Sequence, residues 1–395
     1  YMKNEICIGM AGAGRATELH INALKRFTGI PLRFKMIVAR RKEQLEVAKA
    51  IYGFEETSYD FEDLLTDPDI DVIDICTPPY VHEEMIERAM LAGKHVICEK
   101  PLTGYFGMSG DEYPIGINVS KKVMYLQLLE SIRRLRQIIR KSGKKFMYAE
   151  NFVYAPAVLK AAEIITAKKS RILYAKGEES LKGSSSPVAG EWDKTGGGTF
   201  IRTGSHPLSA ILWLKQQEAK AHGIDIKVKS VIADMGRITP NLSDYEHRHI
   251  AANPVDVEDC GTVILNFTDD SRAVIIATDT LLGGSKNYVE LYCNDAAINC
   301  TLTMSDLMST YFLDEDNLDN VYISEMLPSK IGWNKPFLED EIIRGYTDEM
   351  RDFMEAIFYD RDPKAGFDLA YDTIRIIYAA YMSAEMGCKV ELDTI

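Results

Sequence analysis

The sequence predicts an N-terminal α/β domain over residues 1–148 and a C-terminal α+β domain over residues 149–395, the second built on a largely antiparallel, open-faced sheet. Three observations carry this. A chain of 395 residues exceeds what one compact core holds, so two domains are expected. Up to residue 150, continuous apolar strands alternate with helices, the pattern of a parallel sheet covered on both faces. Beyond it, strand-like stretches follow one another with few helices between, the pattern of an antiparallel sheet.

The elements follow in order. "EICIGMAG" is an apolar strand ending in glycine, and "TELHINALKRF" has helical spacing. "RFKMIVAR" is a strand, and "KEQLEVAKAIYG" a helix stopped by Gly53, since glycine tolerates the left-handed conformation of a helix end. "DVIDICTP" is a strand, "YVHEEMIERAMLAG" a helix, and "KHVICEKP" another strand. "VMYLQLLESIRRLRQIIRKSG" is a long amphipathic helix with basic residues in its last turn, and "KFMYAE" a further strand. In the second half, "RILYAKGEE", "IKVKSVIADMGRI", "GTVILNFTD", "RAVIIATDT" and "NYVELYCND" read as strands. Helices near 205–218 and 347–359 are expected to cover one face, and "FDLAYDTIRIIYAAYMSAEMG" is a last helix. "LKGSSSPVAG" reads as a short flexible loop.

Composition narrows the function classes. With 46% apolar and 27% charged residues the chain is ordinary globular protein. No apolar run approaches a membrane span, and no secretory leader pattern opens the chain. The net charge of −13 argues against nucleic acid, which needs a basic surface. Seven dispersed cysteines with no CxxC pair suggest reduced thiols and a cytoplasmic protein.

"GMAGAGRAT" lies between the first strand and the first helix. Gly12 and Gly14 stand where a dinucleotide fold needs a tight turn and room for a pyrophosphate against helix amides, with Ala13, Arg15 and Ala16 around them. The third glycine of GxGxxG is replaced by Thr17. At the end of the second strand, NAD sites carry an acidic residue for the ribose hydroxyls. Here stand Arg40, Arg41 and Lys42 instead. A guanidinium pairs with a 2′-phosphate where a carboxylate repels it, so NADP is the expected cofactor and NAD the alternative.

"AGAGRATELH", "DLLTDPDIDVIDICTPPYVHEEMIERAMLAGKHVICEKPL", "GGGTFIRTGSHPLSAILWL" and "YTDEMRDFMEAI" together resemble the Gfo/Idh/MocA family, the glucose–fructose oxidoreductase and inositol dehydrogenase group. The resemblance implies a Rossmann domain that binds a nicotinamide dinucleotide. It also implies a C-terminal sheet domain for substrate and oligomer contacts, and hydride exchange with a carbinol carbon of a sugar or cyclitol. A homo-oligomer, dimer or tetramer, is expected on the same ground. Glu99-Lys100-Pro101 matches the family's EKP motif: Lys100 would polarise the substrate oxygen, and Glu99 would orient the carboxamide or the lysine. The family's cis peptide before the proline would aim the lysine. Thr77, Pro78 and His82 of "TPPYVH" would approach the cofactor. His206 would be the general acid/base, its ordinary pKa suiting the task.

The chain also departs from the family pattern. Arg202 stands four residues before His206, where many members carry aspartate. Arginine cannot act as a base at neutral pH, so it is expected to bind substrate or hold an oxyanion. Trp192 and Asp193 could stack on and hydrogen-bond a sugar ring, and Asn151 and Tyr154 could face the cleft. About twenty residues rich in Gly, Tyr and Phe (103–122) are inserted after the EKP motif and could form a lid, a pocket wall or an oligomer contact. His247 and His249 lie among carboxylates without a zinc spacing, so no metal is expected. Two other readings compete with the dehydrogenase: a glycoside-cleaving enzyme working by transient oxidation and elimination, and a non-catalytic dinucleotide-binding sensor.

Overall fold

The computed structural model describes residues 5–303, 310–312, 329, 331–334 and 340–392. Six strands form the first sheet: β1 (Ile6–Ala11), β2 (Leu32–Val38), β3 (Glu56–Ser58), β4 (Val72–Ile75), β5 (His95–Glu99) and β6 (Phe146–Ala149). All pairs are parallel, in the order β3-β2-β1-β4-β5-β6. Helices of ten residues or more are labelled: α1 (Arg15–Arg26), α2 (His82–Leu91) and α3 (Lys121–Ser142) belong to this half. β1 and β4 are buried at every position because helices cover both faces of the sheet, so neither strand alternates. The order reverses between β1 and β4, and ligands of such sheets bind beyond the strand ends at this switch. α3 starts where the Ser120 hydroxyl accepts from Lys122 N at 3.2 Å and stops at Gly143 in the left-handed region.

The second sheet contains β7 (Ile172–Ser180), β8 (Val228–Gly236), β9 (Cys260–Phe267), β10 (Arg272–Thr278), β11 (Lys286–Cys293) and β12 (Ala297–Thr301). Two short strands, β13 (Thr310–Phe312) and β14 (Gly332–Asn334), pair separately, and β15 (Val390–Glu391) closes the main sheet. Its order is β12-β11-β7-β10-β9-β8-β15. Every pair is antiparallel except β7 with β10, which run parallel. β10 alternates buried and half-buried positions along its whole length, as a sheet with one covered face requires.

The remaining long helices are α4 (Pro156–Lys168), α5 (Ser205–His222), α6 (Tyr346–Phe358) and α7 (Phe367–Met386), of which α4, α5 and α7 lie on the second sheet. α5 covers the second sheet as expected near 205–218, whereas the helix expected near 347–359 forms as α6 but packs on α1 of the first half instead. α4 was not read from sequence: it ends on Lys169 in the left-handed region, with no glycine to mark the stop. α7 packs on both β8 and α3, and α6 packs on α1, so the second half reaches back over the first. One buried apolar cluster therefore runs from Ile8 and Ile97 through Leu214 to Ile377. No helix among the described residues is long and apolar enough to cross a membrane, and all seven cysteines are free thiols.

Candidate active site

The glycine turn between β1 and α1 is built for a close approach. Gly12 has φ +104, and a Cβ there would lie 2.4 Å from the Cys76 carbonyl oxygen. Gly14 is the N-cap of α1, with no side-chain cap, and nothing lies within 4 Å of where its Cβ would be. Open space at uncapped helix amides is what a pyrophosphate requires, so these residues fit a dinucleotide. Ala13 and Ala16 keep the rim small, and exposed Arg15 pairs with Glu18 at 2.7 Å. Arg40 and Arg41 are exposed just past β2, and Arg40 Nη2 lies 3.4 Å from the Tyr80 hydroxyl. Thr77 and Pro78 line the end of β4. His82 departs from its expected role. Its ring is buried, with the two nitrogens 2.9 Å from the carbonyls of Pro101 and Thr77. It latches the two strand ends together and has no nitrogen left for a cofactor.

Beneath this turn lies a buried charge network that sequence reasoning did not find. His20, on α1, places Nδ1 at 2.9 Å from Asp74 Oδ2 and Nε2 at 3.1 Å from Glu99 Oε1. Burial alone would lower the His20 pKa, but the Asp74 carboxylate and neighbouring Cys76 outweigh it and raise it well above the usual value. Burial opposes ionisation of Glu99, yet the His20 hydrogen bond holds its carboxyl below the usual range. Glu99 Oε2 then accepts from the backbone N–H of Lys100 at 3.0 Å. His20, Asp74 and Cys76 lie close enough to share a metal ion. Their donors are engaged with one another, however, as befits an imidazolium between carboxylates.

Lys100 and His206 are brought together. The Lys100–Pro101 peptide is cis, and Lys100 Nζ donates to the Arg202 carbonyl at 2.5 Å. Arg202 lies in a π-helical turn (Phe200–Gly204) that leads directly into α5, four residues before His206. His206 Nδ1 is 2.6 Å from Glu150 Oε1, and its ring stacks on Phe152 at 4.9 Å. Its Nε2 lies 4.0 Å from Glu179 Oε2, at the end of β7. Glu150 follows β6 directly, beside the end of β5, because Ala149 pairs with Glu99. Burial first, and the Lys100 charge next, push His206 down to about 3, so the ordinary pKa expected of it does not hold here and the ring is neutral. Burial pushes the Glu150 carboxyl up to about 8, with Lys100 opposing.

The expected substrate residues divide. Arg202 does not stand free: its Nη2 contacts Asp279 Oδ2, and Thr199 Oγ1 donates to the other oxygen at 3.0 Å. Tyr154 does not face the cleft. It is fully buried, donates its hydroxyl proton to Asp352 Oδ2 at 2.8 Å, and accepts from Ala365 N at 2.9 Å. Asn151 is also buried and donates to the Arg344 carbonyl at 2.9 Å. Trp192 is 2% exposed, packed on Tyr381 at 4.8 Å with Lys121 Nζ 4.7 Å over its ring, so it offers no face to a sugar. Asp193 pairs with its neighbour Lys194 at 2.6 Å.

The inserted segment 103–122 is bolted down. Tyr105 N donates to the Tyr378 hydroxyl at 2.6 Å, which donates to the Gly196 carbonyl at 2.7 Å. Phe106 stands edge-on to Tyr80 at 6.4 Å. Asp256 accepts from Gly116 N at 2.8 Å and from Trp192 N at 2.7 Å.

Known proteins share this fold. Residues 6–108 match the family model for the GFO/IDH/MocA oxidoreductase family, NAD-binding Rossmann fold, and residues 169–299 match the GFO/IDH/MocA C-terminal domain. The uncharacterized oxidoreductase YrbE of Bacillus subtilis (strain 168) is 39% identical over 103 residues, 26% of this chain and 29% of that protein. Levoglucosan dehydrogenase of Pseudarthrobacter phenanthrenivorans (strain DSM 18606 / JCM 16027 / LMG 23796 / Sphe3) is 26% identical, covering 98% of this chain and 97% of that one. Among solved structures, GenD2 from gentamicin A biosynthesis, in complex with NAD, shares the fold with a TM-score of 0.77 at 20% identity, over 99% of this chain and 97% of that chain. With both domain models matched in order on one chain, this protein belongs to the GFO/IDH/MocA oxidoreductase family.

Proposed function

We propose that this chain is an NADP(H)-dependent dehydrogenase that oxidises a carbinol carbon of a sugar or cyclitol, or reduces the matching ketone. The nicotinamide, when bound, supplies the acceptor and donor of hydride. The α1 amides beside Gly14 hold the pyrophosphate, and Arg40 and Arg41 hold the 2′-phosphate that distinguishes NADP from NAD. Lys100 lowers the energy of charge developing on the substrate oxygen. His206 takes the hydroxyl proton on Nε2, while Glu150 accepts from Nδ1–H and keeps the ring in the tautomer that can do so. The single observation behind this reading is that Lys100, held on the Arg202 carbonyl, lies near enough for its charge to act on both members of the hydrogen-bonded His206–Glu150 pair. Membership of the family and the resemblance to levoglucosan dehydrogenase point to the same substrate class.

The test is turnover of a panel of sugars and inositols with NADP⁺ and with NAD⁺, followed by nicotinamide absorbance. Lys100→Ala is expected to lose about 10²–10⁴-fold in kcat while still binding cofactor. Normal turnover by this variant would remove Lys100 from the mechanism. Equal kcat/KM with both cofactors would remove the role given to Arg40 and Arg41.

A further inference from the structure

We infer that the substrate is a neutral glycoside whose second ring occupies a pocket behind Arg202, so that the enzyme acts on one ring of a di- or oligosaccharide. This rests on Lys100 and His206 being the reaction centre, and it names the substrate class that centre serves.

The pocket has a volume of about 300 Å³, the lower end of small-molecule sites, which suits one ring. Its walls are the loops 181–190 and 251–258. They are joined by backbone hydrogen bonds, Ala251 N to the Lys182 carbonyl at 2.8 Å and Val255 N to the Gly190 carbonyl at 2.9 Å. Two glycines make the junction: a Cβ on Gly183 would lie 2.3 Å from Ala252 N, and one on Gly190 would lie 2.0 Å from Asn253 O. Walls seated this closely are preformed, so a ligand need not order them.

The lining has the chemistry of a sugar site. Three successive serines, Ser184–Ser186, and Asn253 offer donors and acceptors, and Ala252 and Val257 offer apolar surface for ring C–H groups. None of the charges present is an unpaired cation. Arg202 is paired with Asp279, and both line the pocket. Glu258, also in the wall, is taken up by Gly198 N, Phe200 N and the Tyr381 hydroxyl. A pocket without a net cation does not select a phosphate or a sugar acid.

Arg202 joins this pocket to the reaction centre. Its carbonyl accepts from Lys100 while its guanidinium meets Asp279, so the two spaces lie one arginine side chain apart. His206, four residues on, falls on the same face of the helical turn. Arg202 Nε is buried with no acceptor among the described residues. The residue that departs from the family's aspartate is thus the one between the two spaces.

The experiment compares glucose with maltose, cellobiose and trehalose on the NADP-loaded protein, using native chain and Ser185→Trp, which fills the pocket from its rim. At least one disaccharide is expected to exceed glucose by about tenfold or more in kcat/KM. Ser185→Trp is expected to remove that advantage with glucose turnover and the melting temperature unchanged. Equal turnover of glucose and disaccharides, or equal loss of both in the variant, would overturn the inference. Saturation-transfer NMR on the same samples separates it from the dehydrogenase reading. Disaccharide binding that Ser185→Trp abolishes, without turnover, would uphold the pocket and defeat the dehydrogenase. Absence of disaccharide binding at millimolar concentration would defeat the pocket, whatever the turnover.

Discussion

Glu150 is the residue whose protonation decides what His206 can do. Burial pushes its carboxyl up to about 8. Below that pH it holds a proton and donates to His206 Nδ1, which leaves the hydrogen on Nε2 and blocks proton acceptance there. Above it the carboxylate accepts from Nδ1–H, and the Nε2 lone pair is free. The oxidation rate is therefore expected to rise with pH through about 8. In Glu150→Gln that limb should vanish and kcat fall about 10²-fold. A pH profile measured on both proteins checks this; an unchanged limb in the variant would exclude Glu150 as the positioning residue. Lys100 and His206 were singled out through the family resemblance, since each lies in a segment that matches a family motif. Glu150 and His20 were not. A carboxylate one residue past a strand and a histidine inside a helix carry no spacing signal, and only the fold brings them to Glu99 and His206. Tyr154, Trp192 and His82 misled for the converse reason: their types suit ligands, but their polar groups or faces are consumed by the core.

At the scale of elements, the inserted segment 103–122 is a fixed wall, held by Tyr378 from α7. That hydroxyl serves two buried backbone groups, Tyr105 N–H and the Gly196 carbonyl. Tyr378→Phe leaves both without a partner and is expected to cost about 1–3 kcal/mol for each group left unpaired. Chemical denaturation should show it as a lower midpoint with an unchanged slope; an unaltered midpoint would mean that other contacts seat the insertion. Glycine, tyrosine and phenylalanine in this stretch announced an irregular segment, yet nothing local said what would hold it, since its anchors lie near residues 196, 256 and 378. The parallel pairing of β7 with β10 was equally hidden, because apolar alternation reports which face is covered and not which way a strand runs.

For the whole molecule, the apolar interior passes without a break from the first sheet to the second. α7 packs on both α3 and β8, and α6 returns to α1. The two halves are therefore expected to unfold together. Circular dichroism and calorimetry should give one transition with equal van't Hoff and calorimetric enthalpies; two separated transitions would contradict it. The parallel step between β7 and β10 has a wider consequence. In an up-and-down meander, successive strands release their chains at opposite rims. Here two strands exit at the same rim, where Leu181 N bonds the Thr278 carbonyl and Leu281 N bonds the Leu181 carbonyl. Both departures deliver residues to one place: Ser184–Ser186 after β7 and Asp279 after β10 line the same pocket. A single parallel step thus gathers two loops, about a hundred residues apart in the chain, on one side of the sheet, where an antiparallel pair would send them to opposite sides.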